Sequence, residues 1–86
     1  MTREARYSEP EVLHGLATSG QFDRLVRYLA SNEPLAVRRR AAALLTECSD
    51  EIDGDSELGD QLFAAVLRES DDTVRAKIIE TLLAVE

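Results

Sequence analysis

Residue types that carry chemistry are scarce in this chain, which has one cysteine, one histidine and one lysine among its 86 residues. Cys48 has no partner for a disulfide within the chain, and one thiol cannot build a metal site, which takes about four ligands. His14 and Cys48 would form a catalytic pair only if the fold brought them together. The aromatic residues are too few and too scattered to form a platform for nucleic-acid bases: Tyr7, Phe22, Tyr28 and Phe63.

Motifs and long apolar runs are also missing. No apolar stretch approaches the ~18 residues that a membrane span needs, and the polar residues 1–6 lack the apolar stretch of a signal peptide. These absences predict a cytoplasmic protein. Neither a glycine-rich phosphate loop nor a nucleophile elbow is present. A calcium loop starting at Asp53 would need glycine and glutamate where Leu58 and Ala64 stand. We therefore predict no enzymatic activity, no cofactor and no metal site.

Charge is plentiful but unevenly distributed. Residues 1–43 hold seven arginines against five acids, net +2, and residues 44–86 hold three bases against twelve acids, net −9, giving −7 for the chain. Nine of the ten bases are arginine. An acidic chain with almost no lysine is typical of a salt-adapted protein. Such a chain repels phosphate and is a poor general binder of nucleic acid.

The apolar residues recur at helical spacing. Helix-breaking segments lie near residues 19–20, 32–34, 49–55 and 69–71, with Pro34 expected in the first turn of the third helix. Between them, apolar residues recur three and four positions apart, as in Phe22, Leu25, Val26 and Leu29. No segment alternates apolar and polar residues over the length of a strand. The sequence therefore predicts an all-α fold of about five helices.

The chain repeats itself with a period of 37 residues. This shift aligns the second and third predicted helices with the fourth and fifth. It makes five pairs identical: Asp23/Asp60, Leu25/Leu62, Val37/Val74, Arg38/Arg75 and Leu45/Leu82. Further positions stay apolar in both copies. A period of this length indicates stacked helix pairs.

Residues 71–82 resemble the second helix of a HEAT repeat, which typically opens with acidic residues followed by Val-Arg and by small or apolar residues up to a leucine. Residues 33–45 have the same form. The resemblance implies a short right-handed α-α superhelix of antiparallel helix pairs in one domain, 1–86. Residues 1–19 would be an N-terminal capping helix, 20–48 the first repeat, 49–55 an acidic loop and 56–86 the second repeat. The shorter bilin-lyase type of repeat fits equally well.

Three groups of residues are candidates for binding. The resemblance implies that Arg38 and Arg75 form a ladder with acids such as Asp71 of their own or the adjacent repeat. Four arginines of the first repeat are either a solvated surface or a docking patch for an acidic protein or nucleic acid: Arg24, Arg27, Arg39 and Arg40. The apolar arc of the fifth helix is wider than one packing partner needs, which predicts an interface at Ile79, Leu82, Leu83 and Val85.

These features favour a non-catalytic module that binds another protein or a second copy of itself. The alternative is a HEAT-like binder of nucleic acid or phosphate through the arginine patch. A third hypothesis, from the bilin-lyase resemblance, is a lyase or chaperone-like helper of cofactor attachment.

Overall fold

The computed structural model describes residues 9–52 and 56–85, and in these segments every regular element is helical. The predicted all-α fold class is confirmed, with five α-helices and no strand among the described residues. The elements are α1 (Glu9–Thr18), α2 (Phe22–Val26), α3 (Leu35–Glu47), α4 (Ser56–Arg68) and α5 (Asp72–Val85), with 3-10 turns at Arg27–Leu29 and Ser49–Glu51. Residues 1–8 of the predicted capping helix, 53–55 of the acidic loop and 86 of the second repeat lie outside the described part.

The end of α1 is fixed by a glycine. Gly20 has φ of +76°, a left-handed conformation that is costly for residues with a side chain. Its N–H donates to the carbonyl of Ala17 at 3.2 Å, and the N–H of Gln21 donates to the carbonyl of Leu16 at 2.9 Å. This pair of hydrogen bonds is the Schellman motif, which satisfies carbonyls at the end of a helix. It ends α1 where the Ser19-Gly20 break was predicted.

The second predicted helix is shorter in α geometry than its apolar stripe suggested. The α-helix ends at Val26 and the chain continues as a 3-10 turn through Leu29, after which Ala30 is extended. The stripe itself is buried, with Phe22, Leu25, Val26 and Leu29 between 0% and 8% exposed. The spacing therefore identified the buried face, while the tighter final turn was not predicted.

Pro34 caps α3 and does not lie in its first turn, as the sequence had suggested. Its ψ of 151° is extended, and the first helical residue is Leu35. The carbonyl of Pro34 accepts the N–H groups of Val37 and Arg38, both at 3.0 Å. Because proline has no N–H to offer, it can stand at this boundary without leaving a donor unpaired.

The contacts between the helices are those of two stacked helix hairpins. Leu35 begins α3 and Asp72 begins α5, an offset of 37 residues that equals the sequence period. Within the predicted repeats α2 packs on α3 and α4 on α5. Between repeats α3 packs on α5 more extensively than any other pair of described helices, and α2 contacts α4. The two Val-Arg helices thus lie side by side, while α1 packs on α2 and α3.

One continuous core joins the elements, and two of its members were not expected from the sequence. Ile52, in the segment predicted to be a polar loop, is 7% exposed. Thr81, a polar residue between apolar neighbours of α5, is completely buried. Its hydroxyl group donates to the carbonyl of Lys77 at 3.0 Å, so its polar atom is satisfied inside the helix. None of the described helices combines the length and the apolar character that crossing a membrane requires.

Candidate functional site

An ion pair between Arg38 and Glu69 connects the two repeats. The Arg38 Nε atom donates to both Glu69 carboxylate oxygens, at 3.1 and 3.3 Å, and Nη2 donates to Oε2 at 3.1 Å. The side chains are only 13% and 1% exposed. Arg38 Nη1 also donates to the carbonyl of Glu33 at 2.7 Å, within its own repeat. Arg38 therefore holds its own N-terminal turn and the turn before α5 at the same time.

Arg75, the equivalent of Arg38 in the second repeat, makes only half of these contacts. Its Nη1 donates to the carbonyl of Glu69 at 3.4 Å, in the turn before α5 and one residue before Ser70, the equivalent of Glu33. Its remaining ion pair is with Asp72 of its own helix. The Asp72 side chain is 90% exposed. The expected side-chain pair between Asp71 and Arg75 does not form. Asp71 instead caps α5, its Oδ2 accepting the N–H of Val74 at 3.0 Å.

The four arginines of the predicted docking patch lie in two different surroundings. Arg39 is 57% exposed and its Nη2 lies 4.0 Å from Asp71 Oδ1, while Arg40 is exposed on the same helix. Arg24 and Arg27 line a shallow groove of about 350 Å³ together with Val12, Leu16, Tyr28 and Glu33. Arg39 therefore stands beside the start of α5, whereas Arg24 and Arg27 stand beside α1.

The second repeat exposes large apolar side chains on both of its helices. On α5, two residues of the apolar arc are exposed, Ile79 at 40% and Leu83 at 68%. Leu82 and Val85 are half-buried and pack against the core, so they do not belong to the exposed surface. On α4, two residues absent from the prediction are exposed, Phe63 at 56% and Leu67 at 72%. We call Phe63, Leu67, Ile79 and Leu83 the outer edge.

The face of α3 that contacts the second repeat is an example of a helix surface covered by a neighbouring helix pair. Arg38, Ala42 and Thr46 follow one another at intervals of four residues and so share this face. Arg38 binds Glu69, and Ala42 is 1% exposed. The Thr46 hydroxyl lies 3.0 Å from that of Thr81 on α5.

The residues that lie 37 positions after those of the covered face of α3 are exposed on α5. The equivalents of Arg38, Ala42 and Thr46 are Arg75, Ile79 and Leu83, of which the side chain of Arg75 is 42% exposed. The outer edge is therefore the second repeat's counterpart of the surface through which the first repeat holds its neighbour.

The same relation holds between α2 and α4. Val26 is 5% exposed, and with Ala30 it lines the groove between the repeats opposite α4. Their equivalents 37 residues later are Phe63 and Leu67, the two exposed residues of α4. Both helices of the second repeat thus present apolar side chains at positions where the first repeat is covered.

The two residues considered for catalysis lie on different elements and differ in exposure. His14 is exposed on α1. Cys48 follows α3 and packs, partly buried, against the core. Burial raises the pKa of the Cys48 thiol, and the carboxylates of Glu51 and Glu47 raise it further, so the thiolate is disfavoured. In residues 9–52 and 56–85 no three histidine, cysteine or acidic side chains are grouped as a metal would require.

Glu69 and Thr81 contribute to the junction between the two repeats, and sequence reasoning missed both. Glu69 was assigned only to a helix break, although an arginine at the position of Arg38 needs a carboxylate and Glu69 lies in the turn before the equivalent helix of the second repeat. Thr81 lies three residues after Ile78 and so falls on the buried face of α5. Including polar as well as apolar residues in the helical spacing would have identified Thr81 as a buried position.

Comparison with known proteins assigns no relative to this chain. No protein-family model matches it, and neither a curated protein nor a solved structure shows significant similarity to it. Its function has to be inferred from its own residues.

Proposed function

We propose that this chain is a non-catalytic protein–protein interaction module of the HEAT-like type, which binds through its outer edge. One observation carries the proposal. The residues of the first repeat that hold a neighbouring helix pair have exposed counterparts in the second repeat. Large apolar side chains that are 40% to 72% exposed on two adjacent helices are typical of a binding surface.

The HEAT-like assignment is supported by the repeat. Two Val-Arg helices begin 37 residues apart and pack side by side, and each arginine donates to a carbonyl of the turn that precedes its helix. Stacked units of this kind form a superhelix when each is rotated slightly relative to the last. We include the short α-α superhelix in the proposal. A cytoplasmic location is also part of it and is compatible with a single cysteine, for which the chain offers no disulfide partner.

The other two hypotheses gain no such support from the described residues. A nucleic-acid site would need several arginines on one surface, but Arg38 is occupied by Glu69, Arg39 lies near Asp71, and Arg24 and Arg27 lie beside α1. The net charge of −7 adds repulsion from phosphate. A helper of cofactor attachment would need a cavity or reactive groups that favour it, and none of the geometry described above does so.

Site-specific photo-cross-linking in cells tests the proposal. Phe63→p-benzoylphenylalanine puts a photoreactive benzophenone at the outer edge, on a side chain that is already 56% exposed and so has room for the added group. The same group in place of Tyr28, a half-buried aromatic residue beside α1, is the matched control. We expect protein adducts from position 63 that are absent when Leu83→Glu is added, because a carboxylate opposes burial of the edge.

Two results would contradict the proposal. The first is a complete absence of protein adducts from position 63 although the cross-linker is active. The second is a set of adducts that is the same for positions 63 and 28 and is unchanged by Leu83→Glu.

A further inference from the structure

We propose that the outer edge binds the outer edge of a second copy, which gives a closed dimer with two-fold symmetry. The inference rests on the proposed function and names the partner. It depends on three features of the described residues: the size of the edge side chains, the character of the opposite end of the module, and the placement of charge along the edge.

The size of the side chains argues against a further repeat stacked in the same way. The junction inside the chain uses small residues at three of its positions, Ala30, Ala42 and Thr46. Their counterparts on the outer edge are large: Leu67, Ile79 and Leu83. Since the distance between packed helices is set by the side chains at the contact, a third repeat cannot approach the edge as α5 approaches α3. Large apolar groups interdigitate well with others of their kind, as two copies of this edge would provide.

The opposite end of the module does not match the edge. There α1 covers α2 and α3, and from residue 11 onward its exposed positions are mainly polar or small: Glu11, Val12, His14, Gly15 and Thr18. A head-to-tail arrangement would bury these polar groups against four large apolar side chains, at a free-energy cost. An edge-to-edge contact avoids this cost, and a surface that pairs with itself closes after two copies.

Charges on the edge are placed to fit this symmetry. Along α4, Asp60, Phe63 and Leu67 share one face, and along α5, Arg75, Ile79 and Leu83 do. Because α4 and α5 form a hairpin, Arg75 lies at the end where they are connected and Asp60 at the open end. When two edges meet with their helices antiparallel, Arg75 of one copy lies at the same end of the interface as Asp60 of the other. Arg75 would then gain a carboxylate from a neighbouring unit, as Arg38 has in Glu69.

Sedimentation equilibrium of the purified full chain, from about 1 µM to 1 mM, tests the dimer. We expect a single monomer–dimer equilibrium between 9.5 kDa and twice that mass. Ile79→Glu should raise the dimer Kd on the order of 100-fold, because two carboxylates would be buried in apolar surroundings. Val12→Glu is the matched control, since Val12 is 41% exposed and Ile79 40%, at opposite ends of the module. It should leave Kd unchanged, and circular dichroism should show both variants folded.

Charge reversal tests the two-fold arrangement. Arg75→Glu and Asp60→Arg should each raise Kd about 10-fold, and the double variant should restore it to within about threefold.

Four outcomes would overturn the dimer: a monomer at every concentration, growth beyond two copies, an equal effect of Val12→Glu and Ile79→Glu, or no recovery in the double variant. The cross-linking experiment distinguishes this failure from failure of the proposed function. Adducts of position 63 with other proteins, but none with a second copy, would retain the interaction module and remove self-association.

Discussion

Arg38→Met removes the cation from the junction between the repeats and leaves Glu69 in place. The Glu69 side chain is 1% exposed and accepts three contacts from Arg38, so the variant leaves a buried carboxylate with only the N–H of Asp71 to stabilise it. Removing one member of a buried ion pair typically costs about 3–5 kcal/mol. For a domain of this size that is a large part of a total of about 5–15 kcal/mol. We expect the Tm to fall by about 12 °C or more.

Urea denaturation followed by circular dichroism measures this change as a double-mutant cycle of Arg38→Met, Glu69→Leu and the double variant. All are made in a Leu83→Glu background so that self-association does not contribute. The double variant replaces both charges by apolar groups and should be more stable than the sum of the single effects predicts, by about 2 kcal/mol.

The internal repeat supplies the control. Arg75→Met changes the equivalent arginine, whose side chain is 42% exposed and whose partner Asp72 is 90% exposed, so it should cost less than about 1 kcal/mol. If Arg38→Met were as mild as Arg75→Met, or if the two single effects simply added, Arg38–Glu69 would not be the stabilising contact of the junction.

Three further predictions concern single positions. Gly20→Ala should destabilise the domain by about 1 kcal/mol because φ is positive there, whereas Gly15→Ala, inside α1 with free space around it, should stabilise it by about 0.5–1 kcal/mol; opposite signs in thermal denaturation are the required result. Thr81→Val should cost about 1 kcal/mol in the same assay, because the hydroxyl of Thr46 loses its contact with the Thr81 hydroxyl and keeps only the carbonyls of Ala42 and Lys77, and no loss would show that this contact does not stabilise the junction. Cys48 should react with iodoacetamide more slowly than a free thiol, with its rate rising at a higher pH than that of the unfolded chain, because its pKa is raised; equal pH profiles would refute this. The same shift stabilises the fold below the unfolded thiol pKa, and this contribution is lost as the pH rises through the folded value.

The helices could be read from the sequence because each carries a strong local pattern. Apolar residues three and four positions apart fixed the buried faces of α2 and α4, and Gly20 marked the end of α1. The errors fell where local signals are weak. Ile52 was assigned to a polar loop because its sequence neighbours are acidic, yet it packs against elements distant in the sequence. The 3-10 turn after Val26 and the capping position of Pro34 depend on backbone angles that apolar spacing does not encode.

The candidate site was predictable only in part for the same reason. Ile79 and Leu83 were identified because the apolar arc of α5 is wide. Phe63 and Leu67 were not, because their exposure depends on which side of α4 the first repeat covers. Arg38 was expected to need an acid, but Asp71 was the acid considered for the ladder, and its carboxylate caps α5 instead.

The sequence by itself determined that the chain is helical and that it contains one motif twice, because helical periodicity and a 37-residue repeat are properties of residue order. Only the tertiary structure decided which copy of that motif is covered. Arg38 and Arg75 occupy the same place in their repeats, yet one is enclosed with Glu69 and the other is open to solvent. The difference arises because stacking gives the first repeat a neighbour on that side and leaves the second without one in the described chain.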